Sequence, residues 1–178
     1  MTYKPIASAE RCDREFLIPA DNDTYVDLNV KLYIRGKLTK PDGTNFDNTD
    51  FIAVTNNFLY SLFSPCSMAL NGVTITQATE LYIYRSYFET LLTDGSDAAN
   101  THQTNAFWDL DDGDILLCDP TAADAKNKLF ITRWKKIKQS KEVHLYGRIQ
   151  SDICNVPLYL TPGVRMQIKL TKPSRFST

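Results

Sequence analysis

Histidine is scarce in this 178-residue chain: His102 and His144 are the only two. Neither has a neighbouring carboxylate-nucleophile pattern, so a histidine-centred catalytic triad would have to draw on partners that nothing in the sequence nominates. A cupin-like jelly-roll metalloenzyme, which needs clustered histidines and a carboxylate, is a second alternative that two isolated histidines argue strongly against. The four cysteines, Cys12, Cys66, Cys118 and Cys154, are widely separated and form no CxxC pair. That spacing argues against a zinc knuckle or a dithiol site and favours reduced, buried thiols. Charge of one sign is missing too: 20 Lys and Arg against 21 Asp and Glu leave a formal net charge of −1, too little for a global pull toward nucleic acid or membrane. No run approaches the roughly 20 apolar residues that span a bilayer, and the opening MTYKPIASAERCDRE has no apolar signal core. The expectation is a soluble protein made in the cytosol, with no membrane association, no cofactor and no enzymatic activity.

What is present is a chain 43% hydrophobic and 23% charged, ordinary for a globular protein of one domain. Period-two alternation dominates. Val26, Leu28, Val30, Leu32 and Ile34 face one way while Asp27, Asn29, Lys31, Tyr33 and Arg35 face the other, which predicts one long half-buried strand. Lys40-Pro41-Asp42-Gly43 then turns the chain. Val143, Leu145, Gly147 and Ile149 alternate with Glu142, His144, Tyr146 and Arg148; Val164, Met166, Ile168 and Leu170 alternate with Arg165, Gln167, Lys169 and Thr171. With shorter candidates at Arg14 to Ile18, Ser67 to Ile75, Asp114 to Cys118 and Leu129 to Lys138, the count is about seven or eight strands. That number suits an all-β, two-sheet antiparallel sandwich or barrel.

The stretch from Val54 to Leu92 is the most distinctive. Asn56 and Asn57 interrupt an apolar run, and their amides are suited to cap a turn carrying Phe58, Leu59, Leu62 and Phe63 that Pro65 ends. Asn71-Gly72 tolerates positive φ and predicts a tight hairpin between Met68-Leu70 and Val73-Ile75. From Thr79 the period lengthens: Leu81, Tyr84, Phe88, Leu91 and Leu92 recur at three- and four-residue steps, predicting a single amphipathic helix near residues 79 to 92 with that face, Tyr84 included, against the core and Gly95 as C-cap.

Charge is unevenly placed. Between Asp94 and Asp124 lie eight aspartates and no Lys or Arg, whereas Lys126 to Lys141 holds seven basic residues and no acid. The acidic block reads as a long loop. Its WDLDDGDI segment offers Asp109, Asp111, Asp112 and Asp114 to a cation, but placing Gly113 at the sixth position of an EF-hand loop puts Trp108 first and Asp119 twelfth, so the register fails. The basic segment KLFITRWKKIKQSK interleaves Phe130 and Trp134 with Lys135, Lys136 and Lys138, a pattern open to weak nucleic-acid contact, while its apolar residues read as strand with lysines on the wet side. Tyr82, Tyr84 and Tyr87 admit a sugar platform, although their spread around a helix speaks against one. The two opposed blocks are candidates for complementary subunit contacts through Asp109, Asp111, Asp112, Arg133, Lys135, Lys136 and Lys138.

Three separated blocks, VTNNFLYSLFSPCSMALNG, YIYRSYFETLL and KEVHLYGRIQSDICNVPLYLTPGVRMQIKLTK, resemble in order and spacing the major capsid protein of Maverick/Polinton elements and related adintovirus-like viruses. The resemblance runs from about Arg14 to Thr178. Its motif positions are Asn56, Asn57, Leu62 and Phe63 in the turn, Tyr84, Arg85, Glu89 and Leu91 in the helix, and Gly147, Pro162 and Gly163 near the C-terminus. It implies a hexon-like jelly roll of about eight strands over residues 14 to 178, the first half of a double jelly roll, preceded by an arm over residues 1 to 13. It further implies a homotrimer that meets other capsid subunits in an icosahedral shell. The implied location is the virion, after synthesis in the host cytosol, with the nucleus as a candidate assembly compartment. The alternative is a single jelly-roll binding module for a glycan or a partner protein.

Overall fold

The computed structural model describes residues 1–6, 13–109 and 128–173. In chain order the elements are β1 (Asp13–Ile18), β2 (Val26–Asp27), β3 (Lys31–Gly36), α1 (Phe58–Ser61), β4 (Cys66–Leu70), β5 (Val73–Thr76), α2 (Tyr82–Thr93), α3 (Ser96–Asn100), α4 (Lys128–Ile137), β6 (Val143–Arg148), β7 (Tyr159–Leu160) and β8 (Met166–Thr171). The chain divides into two compact units: Met1–Lys31 with Tyr60–Thr93 and Arg148–Thr178, and Leu32–Leu59 with Asp94–Gly147. The fold is β-rich with antiparallel sheets, as the alternation predicts.

The first unit is built on a four-stranded sheet in the order β1-β8-β4-β5. β8 lies antiparallel between β1 and β4, pairing Phe16 with Ile168 on one side and Met68 with Ile168 on the other. Alternation in β8 is borne out: Met166, Ile168 and Leu170 are almost fully enclosed while Lys169 is exposed. Each such side chain contributes about 1.5–3 kcal/mol of apolar burial. The predicted hairpin forms as expected, with Asn71 and Gly72 at φ +49° and +82°, the left-handed pair that a two-residue turn demands. Arg165 donates its N–H to Asn71 Oδ1 and accepts from the Asn71 N–H, both at 2.9 Å, which ties the hairpin tip to the start of β8. Gly163 turns the chain into β8 at φ +81° and donates to the Asp21 carbonyl at 2.8 Å. Cys66 and Cys154 are buried free thiols, and burial pushes them up to about 12 and about 11. Cys12 and Cys118 lie outside the described residues.

The second unit holds the β3-β6 pair. Tyr33 meets His144 and Arg35 meets Glu142, so the contacts advance on one strand as they recede on the other, the mark of antiparallel pairing. Leu32, Val143 and Leu145 point inward, with Tyr33, Arg35 and His144 in water, as the alternation predicts. The Lys40 to Gly43 turn is present, with Gly43 at φ +83° and its N–H on the Lys40 carbonyl at 2.9 Å.

Several expectations are overturned. The long strand over Val26 to Arg35 is two strands with different partners, β2 on β7 and β3 on β6. Asp27 Oδ1 accepts the Asn29 N–H at 2.8 Å, an Asx turn that breaks the extended run, and the Val30 N–H bonds back to the Leu28 carbonyl. The segment Leu129 to Lys138 is the helix α4 rather than a strand. Its buried residues Arg133, Trp134 and Ile137, with Phe130 half-buried, fall at three- and four-residue steps, and that spacing outweighed the β-branched content of Ile131, Thr132 and Ile137. The single-helix expectation therefore fails, since α1, α3 and α4 accompany α2. α2 ends at Thr93, but Gly95 is extended at φ −80° and serves as N-cap of α3 instead of a left-handed C-cap. The expected strand at Asp114 to Cys118 lies outside the described residues.

Candidate interaction surface

α2 takes the predicted place but turns the other way. Tyr82, Ser86 and Thr90, spaced one turn apart, are its buried residues. Leu81 is 63% exposed, Tyr84 65%, Phe88 55%, Leu91 41% and Leu92 81%, so the face expected in the core, Tyr84 with it, meets solvent. Tyr87 and Phe88 pack edge to face with ring centroids 6.1 Å apart. The physical reason lies on the buried side. Ser86 and Thr90 are small enough to let the helix backbone sit close, Ser86 Oγ donates to the Ile83 carbonyl at 2.8 Å, and Tyr82 stacks edge-on against Tyr60 at 6.4 Å. Five large exposed side chains on this helix, Tyr84, Tyr87, Phe88, Leu91 and Leu92, with Leu81 just before it, share one side and form a contiguous patch instead of scattered surface residues.

One flank of α2 is charged. Arg85 Nε donates to Glu89 Oε1 at 2.7 Å, an i,i+4 pair, and its Nη atoms reach both oxygens of Asp152 at 2.5 and 3.2 Å. The guanidinium, bonded first to Asp152 and then to Glu89, is held protonated even more firmly than usual, and the same contact pulls the Asp152 carboxyl below the usual aspartate range. Asn155 Nδ2 adds a 3.4 Å contact to Glu89, and Arg148 clamps the Cys154 carbonyl and Asn155 Oδ1. Arg85 and Asp152 border a cavity of about 220 Å³ lined also by Cys66, Thr76, Tyr82 and Gln150. Arg85 and Asp152, the one cation and one carboxylate in its lining, offset each other, so that hollow presents no net charge to a ligand.

In the second unit the paired asparagines tie two distant segments together. Asn57 sits at φ +58° and donates its N–H to the Phe107 carbonyl at 3.1 Å. Asn56 Oδ1 accepts the N–H groups of Asn57 and Asp109, each at 2.9 Å, and Asn56 Nδ2 donates to the Asp109 carbonyl. The doublet thus staples the entry to α1 onto the segment Phe107 to Asp109, with Phe58 against Phe107 edge-on at 6.2 Å. Asp109 also stands 3.9 Å from Arg133 Nη1, and Arg133 is 5% exposed.

Arg133 and Asp109 are therefore an internal pair and not a surface available to a neighbour. Lys136 donates to the Thr104 carbonyl at 3.3 Å and lies 4.7 Å over the Phe107 ring; Lys138 lies 4.7 Å over Trp134. Trp134 is buried, its indole N–H on the Asp50 carbonyl at 3.0 Å, and so offers no ring face for base stacking. Of the named basic residues, Lys135 is exposed, Lys136 and Lys138 are half-buried and Arg133 is buried. Asp111 and Asp112 lie outside the described residues. Of the motif residues, Phe63 is buried, Leu62 and Gly147 are half-buried, Pro162 and Gly163 shape the turn before β8, and Arg85 and Glu89 are paired to each other.

Two groupings escaped the sequence reading. Asp152 joins Arg85 from 67 residues away, a proximity no local pattern encodes. On the wet face of the β3-β6 pair, Tyr33 Oη meets His144 Nδ1 at 2.6 Å, Glu142 Oε1 meets His144 Nε2 at 3.3 Å, and Arg35 Nε holds the same oxygen at 2.9 Å; alternation placed these side chains outside without pairing them. Among the described residues no three His, Cys, Asp or Glu side chains gather to hold a metal ion, and no helix is long and apolar enough to cross a membrane. Compared with known protein families, curated proteins and solved structures, the chain gave no match.

Proposed function

We propose that this chain is a self-associating structural subunit: the first jelly roll of a hexon-like capsid protein of the Maverick/Polinton type, trimerising into capsomers of an icosahedral shell and residing in the virion. The observation that carries the reading is the apolar face of α2, with Leu81, Tyr84, Phe88, Leu91 and Leu92 all substantially exposed. A face of that composition loses free energy in water and gains it when another surface covers it, which is how a capsid subunit works: burial between copies with no catalytic group. The three sequence blocks and the antiparallel, β-rich fold support the same reading.

The experiment is sedimentation velocity across a concentration series on the chain and on Phe88→Glu combined with Leu92→Glu. Both positions are exposed, so the double variant keeps its fold and shifts the distribution toward monomer. Concentration-independent monomer for the parent chain, or an identical distribution for the variant, overturns the assignment. Reversing Lys135 alone weakens association more at low salt than at high salt if the charge blocks contribute. Lys136 and Lys138 are unsuitable for that test because their ammonium groups pack over rings within their own unit.

A further inference from the structure

The four-stranded sheet of the first unit has two edges, β1 and β5. The β1 edge is met by Ile6, whose N–H donates to the Glu15 carbonyl at 2.7 Å. Among the described residues nothing hydrogen-bonds to the backbone on the outer side of β5. Its sequence, Val73-Thr74-Ile75-Thr76, is entirely β-branched, without charge or proline, and Val73 is 68% and Ile75 47% exposed. Protruding charges and prolines are the usual means of keeping an edge from pairing, and β5 has neither. Its one irregularity is a bulge between Thr74, opposite Ala69, and Thr76, opposite Met68, which makes Ile75 the extra residue and centres the regular outward pairing on Thr74 at the turn-proximal end of the strand.

The hairpin fixes which groups face out. In a two-residue turn Leu70 and Val73 form the closing pair, so Val73 directs its N–H and carbonyl to β4 and Thr74 directs both outward. We propose that β5 is the strand through which two copies of this chain join edge to edge about a two-fold axis. The strands run antiparallel with Thr74 on the axis, exchanging N–H···O bonds with Thr74 of the second copy. Val73 then stands opposite Ile75 of the second copy and Ile75 opposite its Val73, so the two apolar exposed side chains cover each other twice. The occupant is a second copy because the pairing is self-complementary: donors meet acceptors, apolar groups meet apolar groups, and an uncharged strand faces its own image without like-charge repulsion. A three-fold axis cannot set a strand antiparallel to itself. The contact therefore joins one capsomer to another instead of building one, and it rests on the self-association reading while using a surface other than α2.

The test is disulfide trapping in the full chain. At a hydrogen-bonded antiparallel pair the facing Cα atoms are about 5.5 Å apart, inside the range a disulfide spans. Thr74→Cys, mildly oxidised, gives a reducible dimer about tenfold faster than Gln77→Cys, which the same register carries away from its counterpart; the parent chain controls for the native thiols. Thr74→Pro removes the outward N–H and leaves the bonds to β4 intact, so it lowers the two-fold association seen in sedimentation while the circular dichroism is kept. If the chain self-associates but Thr74→Cys traps no faster than Gln77→Cys, the β5 contact is overturned and the subunit reading stands. If the chain is monomeric at every concentration and Thr74→Cys traps nothing, both fall.

Discussion

Replacing Asn56 by alanine is the sharpest probe of the second unit. The side chain makes three hydrogen bonds, accepting from the N–H of Asn57 and of Asp109 and donating to the Asp109 carbonyl. Truncation strands both backbone groups of a half-buried Asp109. Each abandoned group costs about 1–3 kcal/mol when fully enclosed, and partial access to water puts both near the lower end. The local bond to Asn57 adds a little, so the expected loss is about 2–3 kcal/mol. With a urea dependence of about 2 kcal/mol per molar, the midpoint falls by about 1–1.5 M. Trp108 and Trp134 are the only tryptophans, both are buried, and both belong to the second unit. Indole fluorescence therefore follows the unit in question without contribution from the other. Asn56→Asp keeps both acceptor bonds and loses the donor, and its loss falls between parent and alanine. An Asn56→Ala midpoint within about 0.25 M of the parent, equivalent to about 0.5 kcal/mol, refutes the staple.

The remaining predictions concern the first unit. Arg85 depresses the Asp152 carboxyl, so the pair stabilises above the ordinary aspartate range and the contribution is lost as pH falls through the depressed folded value; NMR titration of Asp152 shows its midpoint rising in Arg85→Ala, and an unmoved midpoint contradicts the ion pair. Cys66 and Cys154, pushed up to about 12 and about 11 by burial, stay unmodified by a thiol reagent at pH 8 in the folded protein and react in denaturant, as peptide mapping by mass spectrometry resolves; rapid labelling of either in the native protein refutes their enclosure. Gly163→Ala puts a Cβ no closer than 3.9 Å to Asn22, so its cost is conformational alone, about 1 kcal/mol by thermal or urea melting; a neutral result means that the turn relaxes from φ +81°.

What the sequence made legible was whatever depends on a local period or a turn dipeptide. β6 and β8 were read from strict alternation, and the β4-β5 hairpin from Asn71-Gly72, because side-chain direction in a strand and positive φ in a turn are set within a few residues. Two elements were misread where local signals conflict. In α4 the β-branched residues suggested a strand although Phe130, Trp134 and Ile137 already carried a helical repeat. In the Val26 to Arg35 run, five inward apolar positions hid an Asx turn at Asp27 whose strength is a single hydrogen bond. The contacts of the candidate surfaces were less legible for a different reason: Arg85 with Asp152, Asn56 with Asp109 and Trp134 with Asp50 join residues far apart in sequence, and pairing at that range is a property of topology.

The orientation of α2 is the case where a correct local reading led to the wrong face. Its apolar stripe is legible residue by residue; its direction is not, because the most apolar face of a helix is not always the inward one. Burying Ser86 and Thr90 costs little because Ser86 satisfies its hydroxyl on the helix's own backbone and both residues are small. Rolling the helix to bury Phe88 and Leu92 instead would carry Arg85 and Glu89 away from Asp152 and Asn155, abandoning a charged bidentate contact and its flanking bonds. It would also pull Tyr82 from Tyr60. The charged flank and the tyrosine pair are the contacts made in the observed rotation of the helix, which leaves the stripe outward. A helix whose polar face is engaged leaves its apolar face in water, and under the proposed self-association the free energy forgone at Leu81, Tyr84, Phe88, Leu91 and Leu92 is recovered when a second copy covers them.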